Sequence, residues 1–338
     1  MNSDPAAPRP TLQDVATAAG VSQMTVSRAL GGRGRVAEET RRRITTLAER
    51  LGYRPDPQIA KLMHHLRNRR TRRFQSVIVG LTTRTAHDRE SYFRTLVAAA
   101  KARVTGRGYG FELMHLPSSA DKWIGLHRTL RSRGVDGLLL LPQRAPIDLT
   151  NLLTWEEFSV VSTSASALGP PAHRVMPHHF ANTILLCRTL AQRGHRRIGL
   201  VIAANHDRRS ENGFTAAVTW HGLNETDHFV PPLVTTRQDV EHLRTWYIRE
   251  RPDAIITNEP QSARECARVL GLKLSGPPRF VVTSLIESAN PGGIAGIDER
   301  PDEIGKAAAD LLTSMVERRV QGSPDSPAST LLTGRWVE

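Results

Sequence analysis

From Ser76 onward, short apolar runs alternate with helix-length segments, and this alternation restricts the fold more than any other feature of the chain. The runs Val77–Leu81, Phe111–His115, Leu138–Leu141, Ser159–Ser162, Ile198–Ile202, Ala254–Thr257 and Phe280–Thr283 have the length of buried strands. Tyr92–Arg107, Asn182–Arg193, Arg209–His221 and Asp302–Arg319 read as helices lying between them. Parallel strands need long crossovers and helices supply them, so the pattern predicts an α/β body of parallel sheets with helices on both faces. A ligand of such a body sits beyond the C-terminal ends of its strands.

Before Ser76 the texture is different. Residues 1–10 are Pro-rich and polar, as in a loose tail, and three short helices follow. Thr11 and Asp14 form a capping pair ahead of Leu12, Val15, Ala16 and Ala19, and Gly20 ends the first helix. Ser22 caps the second, whose apolar positions are Val26, Ala29 and Leu30, with Gly31 and Gly32 as its stop. The third runs from about Glu38 to Leu51, its acidic start suited to a helix N-terminus, its inner face Ile44, Leu47, Ala48 and Leu51. After Tyr53, Asp56 and Pro57 can open a fourth short helix through Ile59, Leu62, Met63 and Leu66 into the basic stretch Arg67–Arg73.

Length and composition fit this division. The 338 residues suffice for one small module and a large body, and 39% apolar with 23% charged residues excludes wholesale disorder. Net charge is +13, and residues 1–73 alone carry 15 basic and 6 acidic groups, so most of the excess lies in about a fifth of the chain. That is the footprint of a module facing a polyanion, or else of a solvated basic tail. Two cysteines, Cys187 and Cys266, cannot build a disulfide framework, and no zinc-type spacing occurs. No secretory leader and no apolar run of spanning length is evident, so a cytoplasmic protein without a membrane partner is expected. There is no G-x-S-x-G, HExxH, P-loop or strand-borne G-x-G-x-x-G, and the tandem pairs His64-His65 and His178-His179 point apart. No catalytic residue, metal or cofactor is expected.

Two short helices joined at Gly20-Val21-Ser22 are what a helix-turn-helix requires. On the second helix Gln23, Met24, Thr25, Ser27 and Arg28 lie outside the apolar positions. Arg28 can bond bidentately to guanine, Gln23 can pair with adenine, and Met24 offers apolar contact to a thymine methyl. Thr11, Thr25, Ser27, Arg33 and Arg35 are candidates for phosphate contacts. A generic three-helix bundle with a polar surface shares the same helix pattern.

Residues 11–62, TLQDVATAAGVSQMTVSRALGGRGRVAEETRRRITTLAERLGYRPDPQIAKL, resemble the DNA-binding head of the lac repressor (LacI/GalR) family. The runs T-L-x-D-V-A-x-x-A-G-V-S-x-x-T-V-S-R, V-x-x-x-T-R and L-G-Y-x-P occur in order and in register. Val135-Asp136-Gly137, Gly194-His195-Arg196-Arg197-Ile198, Pro252-Asp253-Ala254-Ile255 and Glu303-Ile304-Gly305 look like signposts of the family's body. The resemblance implies an all-α helix-turn-helix head and hinge helix followed by a two-lobed, periplasmic-binding-protein-like (type I) α/β body. It also implies a sequence-specific transcriptional regulator, a repressor, that binds a palindromic operator as a homodimer under control of a small-molecule effector such as a sugar. A regulator with a degenerate pocket, or a non-specific architectural DNA binder, is the alternative.

By position the resemblance makes Gln23, Met24 and Arg28 the base readers and Leu62 the wedge into the minor groove. The implied division is a tail at 1–10, head at 11–55, hinge and linker at 56–73, and body at 74–338. Lobe one would hold about 74–168 and 292–322, lobe two about 169–291 and 323–338. Strand ends point to Thr83, Arg84, Tyr92, Phe93, Gln143, Ser162, His178, Arg209, Asn258, Glu259 and Ser284 as effector candidates. The chain departs from the family at Ala37, where a Ser or Asp cap is common, at Gly31 for Asn, and at Ile59-Ala60 for Ala-Arg. In the body, Ser210 replaces the arginine three residues before Gly213-Phe214. Leu285 stands where an aspartate often follows the strand, and Val175-Met176-Pro177-His178 lacks another. The expectation is an atypical effector, anionic given Arg84, Arg208 and Arg209, or a degenerate pocket.

Overall fold

The computed structural model describes residues 10–30, 37–51, 53, 76–84, 91–116, 123, 125–226, 228–235, 240–286 and 293–338. The chain divides into two compact units, residues 1–73 and 74–338. In the first, α1 (Leu12–Ala19), α2 (Gln23–Leu30) and α3 (Glu38–Arg50) enclose a small core of Val15, Ala16, Ala19, Val26, Ala29, Ile44 and Ala48. Thr11 caps α1 through a full capping box: its hydroxyl receives the Asp14 N–H while the Asp14 carboxylate accepts the Thr11 N–H at 2.7 Å. Those bonds hold the Asp14 carboxyl below its usual range. Gly20 turns the chain at φ 61°, a left-handed conformation that favours glycine and closes α1. The Arg43 guanidinium donates to the Ala19 carbonyl at 3.2 Å and so ties α3 to the end of α1. Ala37, before α3, gives no side-chain cap.

The second unit holds two six-stranded sheets. The first contains β1 (Val77–Thr82), β2 (Gly110–His115), β3 (Val135–Leu140), β5 (Ser159–Ser162), β7 (His173–Pro177) and β13 (Ser329–Leu332), in the order β13-β7-β5-β3-β1-β2 and parallel throughout. A small ribbon of β4 (Ile147–Asp148) and β6 (Ala167–Gly169) lies beside it. The second sheet contains β8 (Ile198–Ala203), β9 (Leu233–Thr235), β10 (Ala254–Thr257), β11 (Arg279–Leu285), β12 (Ala295–Asp298) and β14 (Arg335–Val337), in the order β14-β12-β11-β10-β8-β9. Only β14 pairs antiparallel there. Helices α4 (Ser91–Gly106), α5 (Leu126–Ser132) and α11 (Pro301–Arg318) flank the first sheet. The second sheet is flanked by α6 (His179–Gln192), α7 (Ala204–Arg209), α8 (Gly213–Asn224), α9 (Val240–Glu250) and α10 (Pro260–Leu270).

The lobes divide differently from the sequence expectation. Strand β7 pairs with β5, so the first crossing between lobes comes after Pro177 and not near 168. Strand β12 pairs with β11, which puts 293–298 in the second lobe and the return crossing at Glu299-Arg300. The third crossing falls between β13 and β14 and not at 323. Strands β7, β12 and β14 are short and carry Arg, Pro, Gly or Asp, and β13 is half Ser and Thr, so none has the continuous apolar run that marks a buried strand. The helix expected over 209–221 is interrupted as well. Glu211 and Asn212 adopt φ 55° and 59°, separating α7 from α8. The buried Asp207 carboxylate bridges the break, accepting the Thr215 hydroxyl at 2.6 Å and the Thr215 N–H at 3.3 Å.

Helices α4 and α11 pack most closely at Gly305, where a Cβ would lie 2.4 Å from the Leu96 carbonyl oxygen. Arg103 grips Asp310 with two bonds of 2.8 and 2.9 Å across the same pair of helices. Among the described residues no cluster of metal-ligating side chains occurs, and no helix is long and apolar enough to cross a membrane.

Candidate nucleic-acid interface and ligand cleft

The N-terminal end of α2 is set by Ser22, whose Oγ accepts the Thr25 N–H at 3.2 Å and lies 2.9 Å from the Thr25 hydroxyl. Val26 and Ala29 turn into the core and fix the rotation of the helix about its axis. Gln23 is exposed and Thr25 half-buried. Met24, Ser27 and Arg28 belong to α2, but their side chains lie outside the described residues, as do Arg33, Arg35 and Leu62 entirely. Thr11 is exposed, with its hydroxyl engaged in the cap of α1.

The second unit carries a cleft between its two lobes, at the C-terminal ends of the strands. Arg84, Tyr92, Thr163 and Ser164 line it from the first lobe. His179, His206, Arg209, Asn258, Glu259, Ser284 and Glu299 line it from the second lobe and its crossing. Six of the expected effector residues therefore meet here: Arg84, Tyr92, Arg209, Asn258, Glu259 and Ser284. The other five do not line it. Phe93 is buried in the first lobe's core, with the Arg84 guanidinium 5.3 Å above its ring. Gln143 is fully buried and braces the sheet, donating to the Leu81 and Leu141 carbonyls and accepting the Thr83 N–H at 2.6 Å. Ser162 donates to the Ser164 carbonyl, and His178 caps α6 by accepting the Ala181 N–H. Thr83 accepts the Arg144 N–H on the rim. Arg208 is exposed and does not line the cleft.

The chemistry of the cleft centres on Phe214. His206 stacks on its ring at 5.4 Å and His179 tilts against it at 4.9 Å. The Arg209 guanidinium, always a donor, lies 2.6 Å from His206 Nδ1, so that nitrogen accepts and the imidazole is neutral with its proton on Nε2. Burial pushes the His206 pKa well below its ordinary value, and the charge of Arg209, then those of His179 and Arg84, push the same way. His179 Nδ1 pairs with Glu299 at 3.0 Å, and both are largely buried. Asn258 holds the end of β11 by accepting the Ser284 N–H on its carbonyl, while its side chain engages His206, a contact that opposes the other influences on the imidazole.

Residues 205–211 bridge the cleft. Arg209 donates to the Gln143 carbonyl at 3.1 Å, Asn205 to the Arg144 carbonyl at 3.4 Å, and Arg174 of β7 to Glu211 at 2.7 Å. The remaining open space is about 120 Å³, below the roughly 300–1,000 Å³ of a typical small-molecule site. His179 and Glu299 are not among the residues the sequence points to: His178, its neighbour, takes the strand-end place, and Glu299 follows a strand too short to notice. Ser210 and Leu285, singled out as departures, both face the cleft.

This architecture, a helix-turn-helix unit followed by a two-lobed α/β body with an inter-lobe cleft, is that of a ligand-responsive DNA-binding protein. Residues 11–56 match the family described as bacterial regulatory proteins, lacI family, and residues 187–338 match the periplasmic binding protein-like domain. The repressor PurR of Serratia proteamaculans (strain 568) is 27% identical over 228 residues, covering 65% of this chain and 63% of PurR. YkvZ of Bacillus subtilis (strain 168), an uncharacterized transcriptional regulator, is 25% identical over 323 residues, covering 93% and 94% of the two chains. The lac repressor dimer bound to operator and the anti-inducer ONPF superposes with a TM-score of 0.58 at 20% identity, over 98% of both chains, and so shares the fold. The chain thus carries the DNA-binding domain of the lacI family of bacterial regulatory proteins together with a periplasmic-binding-protein-like domain.

Proposed function

We propose that the chain is a cytoplasmic, sequence-specific repressor without catalytic activity, acting as a homodimer on a palindromic operator under control of a small molecule held between its lobes. Gln23, Met24 and Arg28 read bases in the major groove, and Thr11, Thr25, Ser27, Arg33 and Arg35 fix the register on phosphates. Positions 24 and 28 fall opposite the Val26–Ala29 side of α2 by helical period, which supports that assignment. Leu62 wedges into the operator centre. PurR is named a repressor, and the lac repressor was seen as a dimer on its operator with a small molecule present.

The observation that carries the ligand reading is the bridged cleft. The 205–211 segment joins the lobes through Arg209, Asn205 and Glu211, so a ligand touching Arg209, His206 and Asn258 bears directly on lobe closure. Differential affinity for open and closed lobes then shifts operator affinity, with a coupling of about 1–3 kcal/mol. The effector departs from a plain neutral sugar. Leu285 and Ser210 offer no charged group, Glu299 is engaged by His179, and Arg84 and Arg209 outweigh the one further carboxylate, Glu259, so the cleft favours a ligand bearing an acidic group. Thermal-shift screening of hexoses, sugar acids and nucleobases tests this. The largest rise in Tm is expected from an acidic compound; a large rise with a neutral hexose overturns it.

A further inference from the structure

A second groove opens in the other end of the second lobe. It encloses about 520 Å³, within the rough 300–1,000 Å³ range of small-molecule sites. Its floor is apolar, formed by buried Ala267, Phe280 and Ile294 with half-buried Leu272 and Leu274. Three arginines surround it: Arg264 and Arg268, one turn apart on α10, and Arg279 at the start of β11. Arg264 and Arg279 are half-buried and Arg268 is exposed. Among the described residues no acidic side chain lines the groove, and none of the three arginines has an ion pair. Arg279 acts at a distance on Glu338, whose carboxylate is bonded directly to Arg193.

We propose that this groove is a second ligand site, separate from the inter-lobe cleft, for a small organic anion carrying an apolar group. Guanidinium groups stay charged in any protein environment and fork onto carboxylate or phosphate oxygens, so three of them facing one space attract an anion. The floor of Ala267, Phe280 and Ile294 then covers the apolar part of the ligand. A second copy of the chain is the weaker occupant, because a self-complementary contact here would bring the same arginines together.

The groove also shares its two walls with the cleft. Helix α10 begins at Pro260 in the cleft and carries Arg264 and Arg268 in the groove, while β11 runs from Arg279 in the groove to Ser284 and Leu285 in the cleft. Five residues of strand separate Arg279 from Ser284, roughly 17 Å. A ligand in the groove therefore grips the same helix and strand that present Glu259, Pro260 and Ser284 to the first site.

The test is calorimetric titration of the full chain with phenyl phosphate, inorganic phosphate and phenol at one ionic strength. Phenyl phosphate is expected to bind more tightly than either comparator. Arg264→Gln with Arg268→Gln should loosen it at least tenfold, and Asn258→Ala, in the cleft, should leave it unchanged. If the double variant does not fold, the exposed Arg268→Gln alone should loosen binding several-fold. Unchanged affinity in the arginine variants overturns the proposal, as does equal binding of phenol. A changed sedimentation coefficient in those variants with phosphate affinity intact also overturns it, and makes the groove an interface between copies.

Discussion

His206 shows how single atoms set the state of the ligand cleft. Its Nδ1 accepts from Arg209, its ring lies flat on Phe214, and burial adds to the cost of a second proton. The folded pKa is depressed, so the folded state binds fewer protons than the unfolded chain once pH falls below the ordinary histidine value of 6.5. Stability is thus full above that value and declines as pH drops from it toward the folded pKa. His206→Gln should flatten this decline, read as the change in urea midpoint between about pH 7.5 and about pH 5. An equal decline in wild type and variant would contradict the assignment. Residues of this kind were only partly legible beforehand. Arg209, Asn258 and Ser284 follow from strand ends and helix starts, which a sequence reveals. The His179–Glu299 pair joins positions 120 residues apart, and nothing local in either segment announces it.

At the scale of elements, α4 and α11 cross in close contact. Gly305 sits where the backbone of α4 leaves no room, with Leu96 O and Ala100 N both within 3.0 Å of an added Cβ. Alanine would gain about 1 kcal/mol in helix propensity. The clash is with backbone, which cannot rotate away, so Gly305→Ala should lower the unfolding free energy of the body by a net amount of about 1–3 kcal/mol. Denaturant titration checks it, and a stabilised variant would show that the helices are not so closely packed. The main strands were readable because their apolar runs are continuous, as at Val77–Leu81 and Ile198–Ile202. Strands β7, β12, β13 and β14 were not. His173-Arg174 and Pro177 interrupt one, and Gly296 and Asp298 dilute another, so register with a neighbour defines them more than composition does. That is also why the lobe boundaries moved.

The whole molecule joins two units with separate tasks. The basic excess of residues 1–73 and the helix pair hinged at Gly20 suit a polyanion. The body supplies a cleft whose bridge at 205–211 can respond to a ligand. Sequence-specific regulation by this chain requires that α2 read base sequence. Selection of bound duplexes from a random pool by the full chain, at moderate ionic strength, measures this most directly. Enrichment of a two-fold symmetric site is expected, with Arg28→Ala weakening binding to it by about 1–3 kcal/mol and relaxing preference at one base pair in each half. Recovery of a pool with no sequence preference, or an equal loss by Arg28→Ala on every duplex, would contradict it.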